Sequence, residues 1–195
     1  MKKWFSILLS ALFLFTACSP AQKPAAFSRG TVSGQTYRND FAGLTVTLPE
    51  GWVFFSDEER ENTYAGFDAY DENGDFVTCC DAGAWKESGA SLMITYENAA
   101  VLYGEAFSVE DYLSAAKESL AAQFSEAYGD VSVERLEADL AGKTVPYLSV
   151  PLSVGDLRLY DNLLAQKVGD YIVSVSFCVF SEAERDEVLA GVAFS

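Results

Sequence analysis

Histidine is absent from all 195 residues. Without an imidazole there is no Ser-His-Asp or Cys-His nucleophile system, no histidine general base, and no zinc site built on histidine. An enzyme with this composition is left with carboxylate chemistry, lysine-assisted chemistry or an all-oxygen metal site. Basic residues are the second scarcity, with 13 Lys and Arg against 29 Asp and Glu and a net charge of -16. Such a surface repels phosphates, which excludes nucleic acid as a partner and disfavours binding to anionic headgroups. It suits cations or a basic partner, and it also keeps a domain soluble. Cysteine is limited to four positions, and no internal repeat or second linker divides the chain.

What is present begins at the N-terminus. Lys2 and Lys3 precede an apolar run from Trp4 to Ala17, which ends on Cys18 and is followed by Ser19-Pro20. Fourteen residues at a helical rise cover about 21 Å, short of the ~30 Å hydrocarbon core, so the run reads as the core of an export signal. Phe15-Thr16-Ala17-Cys18 resembles the lipobox of bacterial lipoproteins, in which the cysteine thiol receives a diacylglyceryl group. That resemblance implies a signal peptide over 1–17, lipidation of Cys18, and a domain anchored outside the cytoplasm by its N-terminal lipid. Residues 18–34 are rich in Ala, Ser, Gly and Pro without apolar periodicity, and they read as a flexible tether. Residues 35–195 are enough for one domain with its own core. Once Lys2 and Lys3 leave with the signal, 11 basic residues face 29 acidic ones, about -18 in all.

Within that domain, Leu44, Val46 and Leu48 alternate with Thr45 and Thr47, as in a half-buried strand. Pro49-Glu50-Gly51 interrupts it, and Trp52-Val53-Phe54-Phe55 resumes an apolar run with Trp52 in the core. An acidic turn or short helix follows at 56–61. Asn73-Gly74 between Phe67–Tyr70 and Phe76–Cys80 is a hairpin signal. Ser91 to Tyr96 is the next strand. Ser108 and Asp111 form a capping box, and Val109, Tyr112, Leu113, Ala116, Leu120 and Phe124 follow at helical spacing. This predicts a long amphipathic helix from 108 to about 127, stopping near Gly129. Strands are expected over 131–136, 144–150, 157–166 and 171–180, then a short helix after Ser181 carrying Val188, Leu189 and Val192. The fold class is α+β, a mainly antiparallel sheet covered by a long central helix and a short C-terminal one.

Tyr37-x-Asn39-x-Phe41-x-Gly43-Leu44 followed by Leu48-Pro49-x-Gly51-Trp52 resembles the opening of PsbP-like (Mog/PsbP-like) domains, which recur in bacterial lipoproteins. Leu140-Ala-Gly-Lys143 leading into a strand, a hairpin around Gly169-Asp170-Tyr171 and a closing helix extend the resemblance over 36–195. It implies an antiparallel sheet covered by helices and a non-catalytic, accessory or partner-binding role. It transfers no functional residue.

Three features are candidates for chemistry or contact. Cys79, Cys80 and Cys178 remain as thiols after lipidation of Cys18. Strand alternation puts Cys79 and Cys80 on opposite faces, so Cys178 pairs with one of them in a disulfide, or all three are buried free thiols. Adjacent cysteines do not chelate, and no basic neighbour is in sequence to activate them. Asp71-x-Asn73-Gly74-Asp75 fails as a calcium loop, because setting Gly74 at its sixth position puts Cys80 at the twelfth, where a carboxylate is required. No metal and no cofactor is expected. Trp85, in a stretch of small residues without strand periodicity, reads as a loop aromatic and a candidate partner contact.

The sequence thus points to a membrane-tethered, non-enzymatic domain binding a protein or envelope component at the cell surface. Its rival is a small carboxylate-dependent hydrolase of surface glycans, which needs two carboxyl groups facing across a cleft. A solute-binding lipoprotein is disfavoured, because the chain lacks the length for two lobes closing on a ligand.

Overall fold

The computed structural model describes residues 27–195; the expected signal peptide, Cys18 and the first part of the expected tether lie outside the described residues. The strands are β1 (Thr31–Ser33), β2 (Thr36–Asn39), β3 (Leu44–Thr47), β4 (Trp52–Phe54), β5 (Ala69–Tyr70), β6 (Phe76–Lys86), β7 (Ser91–Asn98), β8 (Glu134–Leu140), β9 (Lys143–Val154), β10 (Leu157–Val168), β11 (Tyr171–Val179) and β12 (Val192–Phe194). The helices are α1 (Asp57–Tyr64), continued by a single 3-10 turn (Ala65–Phe67), α2 (Ala99–Leu102), α3 (Val109–Tyr128) and α4 (Glu182–Ala190). Every pairing is antiparallel. A large sheet runs β4-β6-β7-β11-β10-β9-β8 with β5 on the free part of β6, and a small sheet runs β1-β2-β3-β12. The α+β architecture expected from the sequence is therefore the one observed.

Alternation along the long strands separates two cores. Leu92, Ile94, Tyr96, Val173, Val175 and Phe177 meet Leu44, Val46, Val192 and Phe194 of the small sheet and Val188 and Leu189 of α4 on the inner face. Leu148, Val150 and Ala165 face the other way and are covered by α3 through Leu113, Ala116, Leu120 and Phe124. Helix α3 occupies the predicted span. Ser108 Oγ accepts from Asp111 N at 3.1 Å while the Asp111 carboxylate accepts from Ser108 N at 3.0 Å, which satisfies two of the amide groups left open at a helix start. Gly129 ends the helix at φ 81. Among the described residues, no helix is long and apolar enough to cross a membrane.

Three local expectations are corrected. The tether does not reach residue 34, because the chain is packed from Phe27 onward. The Phe27 ring lies 4.9 Å from Tyr96 and 5.5 Å from Tyr171, and Thr31–Ser33 pairs with β2. These partners are distant in sequence, so no local periodicity announces them. The strand expected at 131–136 begins at Glu134 and runs to Leu140, turning through Ala141 and Gly142, both at positive φ, directly into β9. An alanine in the left-handed region is a poor turn signal, which is why the hairpin was hidden. Finally, Trp85 is not on a loop but near the end of β6, opposite Val53 and Ser91. Its small neighbours are a packing requirement: a Cβ on Gly83 would come within 2.6 Å of the Tyr64 ring and 2.7 Å of Phe55.

A candidate docking strip on the open face of the large sheet

Antiparallel pairing places partner residues on the same face, so the register maps the outer surface of the sheet row by row. One row reads Val53, Trp85, Ser91, Cys178, Asp161, Val150 across β4, β6, β7, β11, β10 and β9. The next reads Gly83, Met93, Ser176, Leu163, Leu148, and the one after it Cys80, Thr95, Ser174, Ala165. Helix α3 covers the β9 and β10 side, and α1 with its 3-10 turn covers part of β6. Between them a strip of sheet is left open, with Met93, Ser176, Leu163 and Cys178 half-buried and Ser91 exposed.

The strip has two differently built ends. At one end Glu97 is held between two phenols: Tyr112 donates to Oε1 and Tyr103 to Oε2, each at 2.7 Å. Burial and the Glu97 carboxylate push the Tyr103 phenol up to about 12 and raise Tyr112 further. Beside them, Thr95 and Ser174 share a hydroxyl hydrogen bond of 2.6 Å. A recess of about 350 Å³ opens here between Phe67 and Tyr112, and a second of about 400 Å³ continues past Tyr112 along α3 to Leu120.

The other end holds Trp85 and Val53, both about half exposed, and Asp161. Asp161 lies on β10 between Leu159 and Leu163, which pack against the α3 cluster. No side chain among the described residues donates a hydrogen bond to it or forms an ion pair with it. Burial pushes its carboxyl up to about 6, with only the Asn162 amide opposing. Ionising a half-buried carboxylate that has one backbone amide and no counter-charge is costly, so a cationic group arriving at this end of the strip would be rewarded.

The cysteines are placed where they cannot combine. Cys79 lies opposite Tyr96 on the inner face and Cys80 opposite Thr95 on the outer face, as alternation requires. Cys178 lies opposite Ser91, with β7 between it and β6. Its separation from Cys80 is four residues along the strands, about 13 Å, and two strand spacings across them, far beyond the ~7 Å reach between disulfide Cα atoms. The expected pairing of Cys178 with Cys79 or Cys80 is therefore corrected: all three are free thiols. Burial raises Cys79 and Cys80 to about 12 and Cys178 to about 11, the opposite of what a nucleophilic thiol needs. Among the described residues, no group of three metal-ligating side chains gathers. Asp71 accepts from the amides of Asn73 (2.8 Å) and Asp75 (2.9 Å), which closes the hairpin turn before β6.

A polar cluster that the sequence reading missed joins the N-terminal segment to β6. Asp81, at a bulge between Cys80 and Ala82, accepts from Tyr37 Oη (2.6 Å), Gly30 N (2.7 Å), Asn39 Nδ2 (3.3 Å) and Arg29 Nη1 (3.4 Å). Arg29 also donates to Asp68 at 2.6 Å and to the Cys80 carbonyl at 3.0 Å. Tyr37 and Tyr96 share a hydrogen bond of 3.0 Å between their hydroxyls. Gly30 is needed at this approach, because a Cβ there would come within 2.5 Å of the Tyr37 ring. With every acceptor in use, Asp81 is a structural knot. Asp in a chain this acidic gave no signal by itself.

The arrangement of two sheets, a long helix over one face and a short closing helix defines an α+β domain of the PsbP-like fold. It is similar to the solution structure of cyanobacterial PsbP (CyanoP) from Synechocystis sp. PCC 6803, with a TM-score of 0.51 over 85% of this chain and 95% of that one, at 10% identity. At that identity the likeness is one of fold. A crystal structure from Bacteroides thetaiotaomicron VPI-5482 aligns with 84% of this chain and 49% of its own length, at 12% identity and a TM-score of 0.38. No protein-family model matches the sequence, and no curated protein does.

Proposed function

We propose that this chain is an exported accessory domain, anchored through lipid on Cys18, which works without catalysis by binding an extended, basic protein segment on the open strip. The observation that carries the reading is Asp161, a half-buried carboxylate at one end of the strip that has no side-chain partner among the described residues. A Lys or Arg of the bound segment completes it. Trp85, about 14 Å away across two intervening strands, supplies an aromatic anchor of the kind that dominates interface energies. The acidity of the whole chain attracts the same class of partner from a distance. The rival reading, a glycan hydrolase, is not favoured. The two carboxylates of the strip, Glu97 and Asp161, are six residues apart along the strands, about 20 Å, against the ~5 to 9.5 Å used by glycosidases. Asp68 and Asp81 do meet, but both are engaged by Arg29.

The test is site-directed photo-cross-linking on intact cells, with the reactive group placed at Ser91 on the strip or at Glu118 on the exposed face of α3. Capture of one protein from position 91 and not from 118, reduced about tenfold or more by Asp161→Asn and by Trp85→Ala, is the expected result. Equal capture from both positions, or capture indifferent to both substitutions, rejects the strip as the binding surface.

A further inference from the structure

The large sheet carries an exposed apolar tip at each end. At one end, the β9–β10 turn presents Val154 and Leu157, 44% and 49% exposed. At the other, α2 and the residue after it present Val101, Leu102 and Tyr103, 58%, 41% and 48% exposed. Strand β10, twelve residues long, separates these ends by about 40 Å. The chain enters the fold at the α2 end. Phe27 stacks on Tyr171, Tyr171 lies opposite Asn98, and Asn98 immediately precedes α2, where Ala100 N donates to the Asp170 carbonyl at 3.2 Å.

Cys18 and Phe27 are nine residues apart, a reach of about 31 Å at full extension. That is less than the length of β10, so with the sheet standing off the membrane only the α2 end meets the lipid. Held this close, the tip experiences the bilayer at a high effective concentration, and a contact too weak to bind alone becomes sufficient.

The chemistry of the tip suits a lipid surface. Residues 101–104 carry no charge. Tyr103 stacks on Phe107 with ring centroids 4.4 Å apart and keeps its hydroxyl on Glu97, an apolar body with a satisfied polar end, as favoured at the membrane boundary. Lys167 fixes the loop behind it by donating to the carbonyls of Glu105 and Phe107 at 3.0 and 2.7 Å. The flanking acids Glu105 and Asp170 select neutral headgroups over anionic ones.

We infer that Val101, Leu102 and Tyr103 dock the anchored domain on the neutral lipid surface of its own membrane. The large sheet then stands upright, with the Trp85 and Asp161 end of the strip facing outward. This orientation rests on the lipid anchor of the proposed function and deepens it, since it says from which side the partner approaches.

The test uses the purified, lipid-modified full chain in phosphatidylcholine vesicles, carrying Leu102→Cys or Leu157→Cys, and a membrane-impermeant maleimide. The control is the same chain with Cys18→Ala, exported behind an ordinary secretory signal. Labelling at position 102 is expected to be about tenfold slower in the anchored form than in the control, with position 157 equal in both. Equal rates at 102 in the two forms overturn the docking, and slowing at both positions overturns the upright orientation. Failure of the chain to float with the vesicles overturns the anchor itself, and the docking falls with it, while the strip is still judged by its own cross-linking.

Discussion

Asp81 and Asp161 are two aspartates of one sheet, both largely withdrawn from water, and they have been treated in opposite ways. Around Asp81 the fold gathers an arginine, a tyrosine, an asparagine and a backbone amide, so the carboxylate is fully occupied and ties the N-terminal segment to β6. Around Asp161 it gathers leucines and a thiol, with the Asn162 amide and no side-chain donor among the described residues. Removing solvent from a charge costs free energy unless hydrogen bonds or a counter-charge replace it. A satisfied buried acid is therefore part of the architecture. A half-buried acid with only a backbone amide beside it bears the cost of its own ionisation.

The comparison breaks most visibly at Asp81. Asp81→Ala leaves Arg29 and the Tyr37 hydroxyl without their partner and is expected to cost about 4 kcal/mol in urea unfolding. A loss under about 1 kcal/mol would mean that the knot is incidental. Asp161 is expected to respond with the opposite sign. Its folded carboxyl, raised to about 6, lies above the ordinary 3.8. The stability tied to this group is therefore fully present below the ordinary value, and it is lost as pH rises through about 6. Asp161→Asn should stabilise the isolated protein by about 3 kcal/mol at pH 8 and by almost nothing at pH 3.5. Equal effects at the two pH values would show that the carboxylate is satisfied after all. The smallest effect concerns the thiols beside these aspartates. Reductant should move the melting midpoint by less than about 1 °C, because Cys79, Cys80 and Cys178 form no disulfide. A fall of several degrees would restore the pairing that the register forbids.

Helix α3 was legible almost to the residue because its signals are local: a capping box at Ser108, a six-position apolar stripe and a terminal glycine. The strands from β9 to β11 were legible through alternation and their Gly-Asp turns. Phe27 and Arg29 were not, since their partners stand at Phe41, Phe76, Tyr96, Asp68 and Asp81. Trp85 was read as a loop aromatic; it is half exposed but sits in a strand, which was concealed by the small residues that Tyr64 and Phe55 require at Gly83. Asp161 could not be singled out at all. Within Leu157–Gln166 it is one polar residue in a strand, and nothing in its neighbours says that Cys178 and Val150 will flank it.

The sequence alone settled the chemistry that is out of reach without histidine, the acidic character of the surface, and the type and order of most elements. These depend on residue types and on spacings of two to four residues along the chain. Only the tertiary structure decided which cysteines can meet, where the packed chain begins, which face stays open and which carboxylate is half-buried without a side-chain partner among the described residues. Those properties arise from strand register and layer packing, which join residues many positions apart, and a shift of one residue in register would exchange every outward side chain for an inward one.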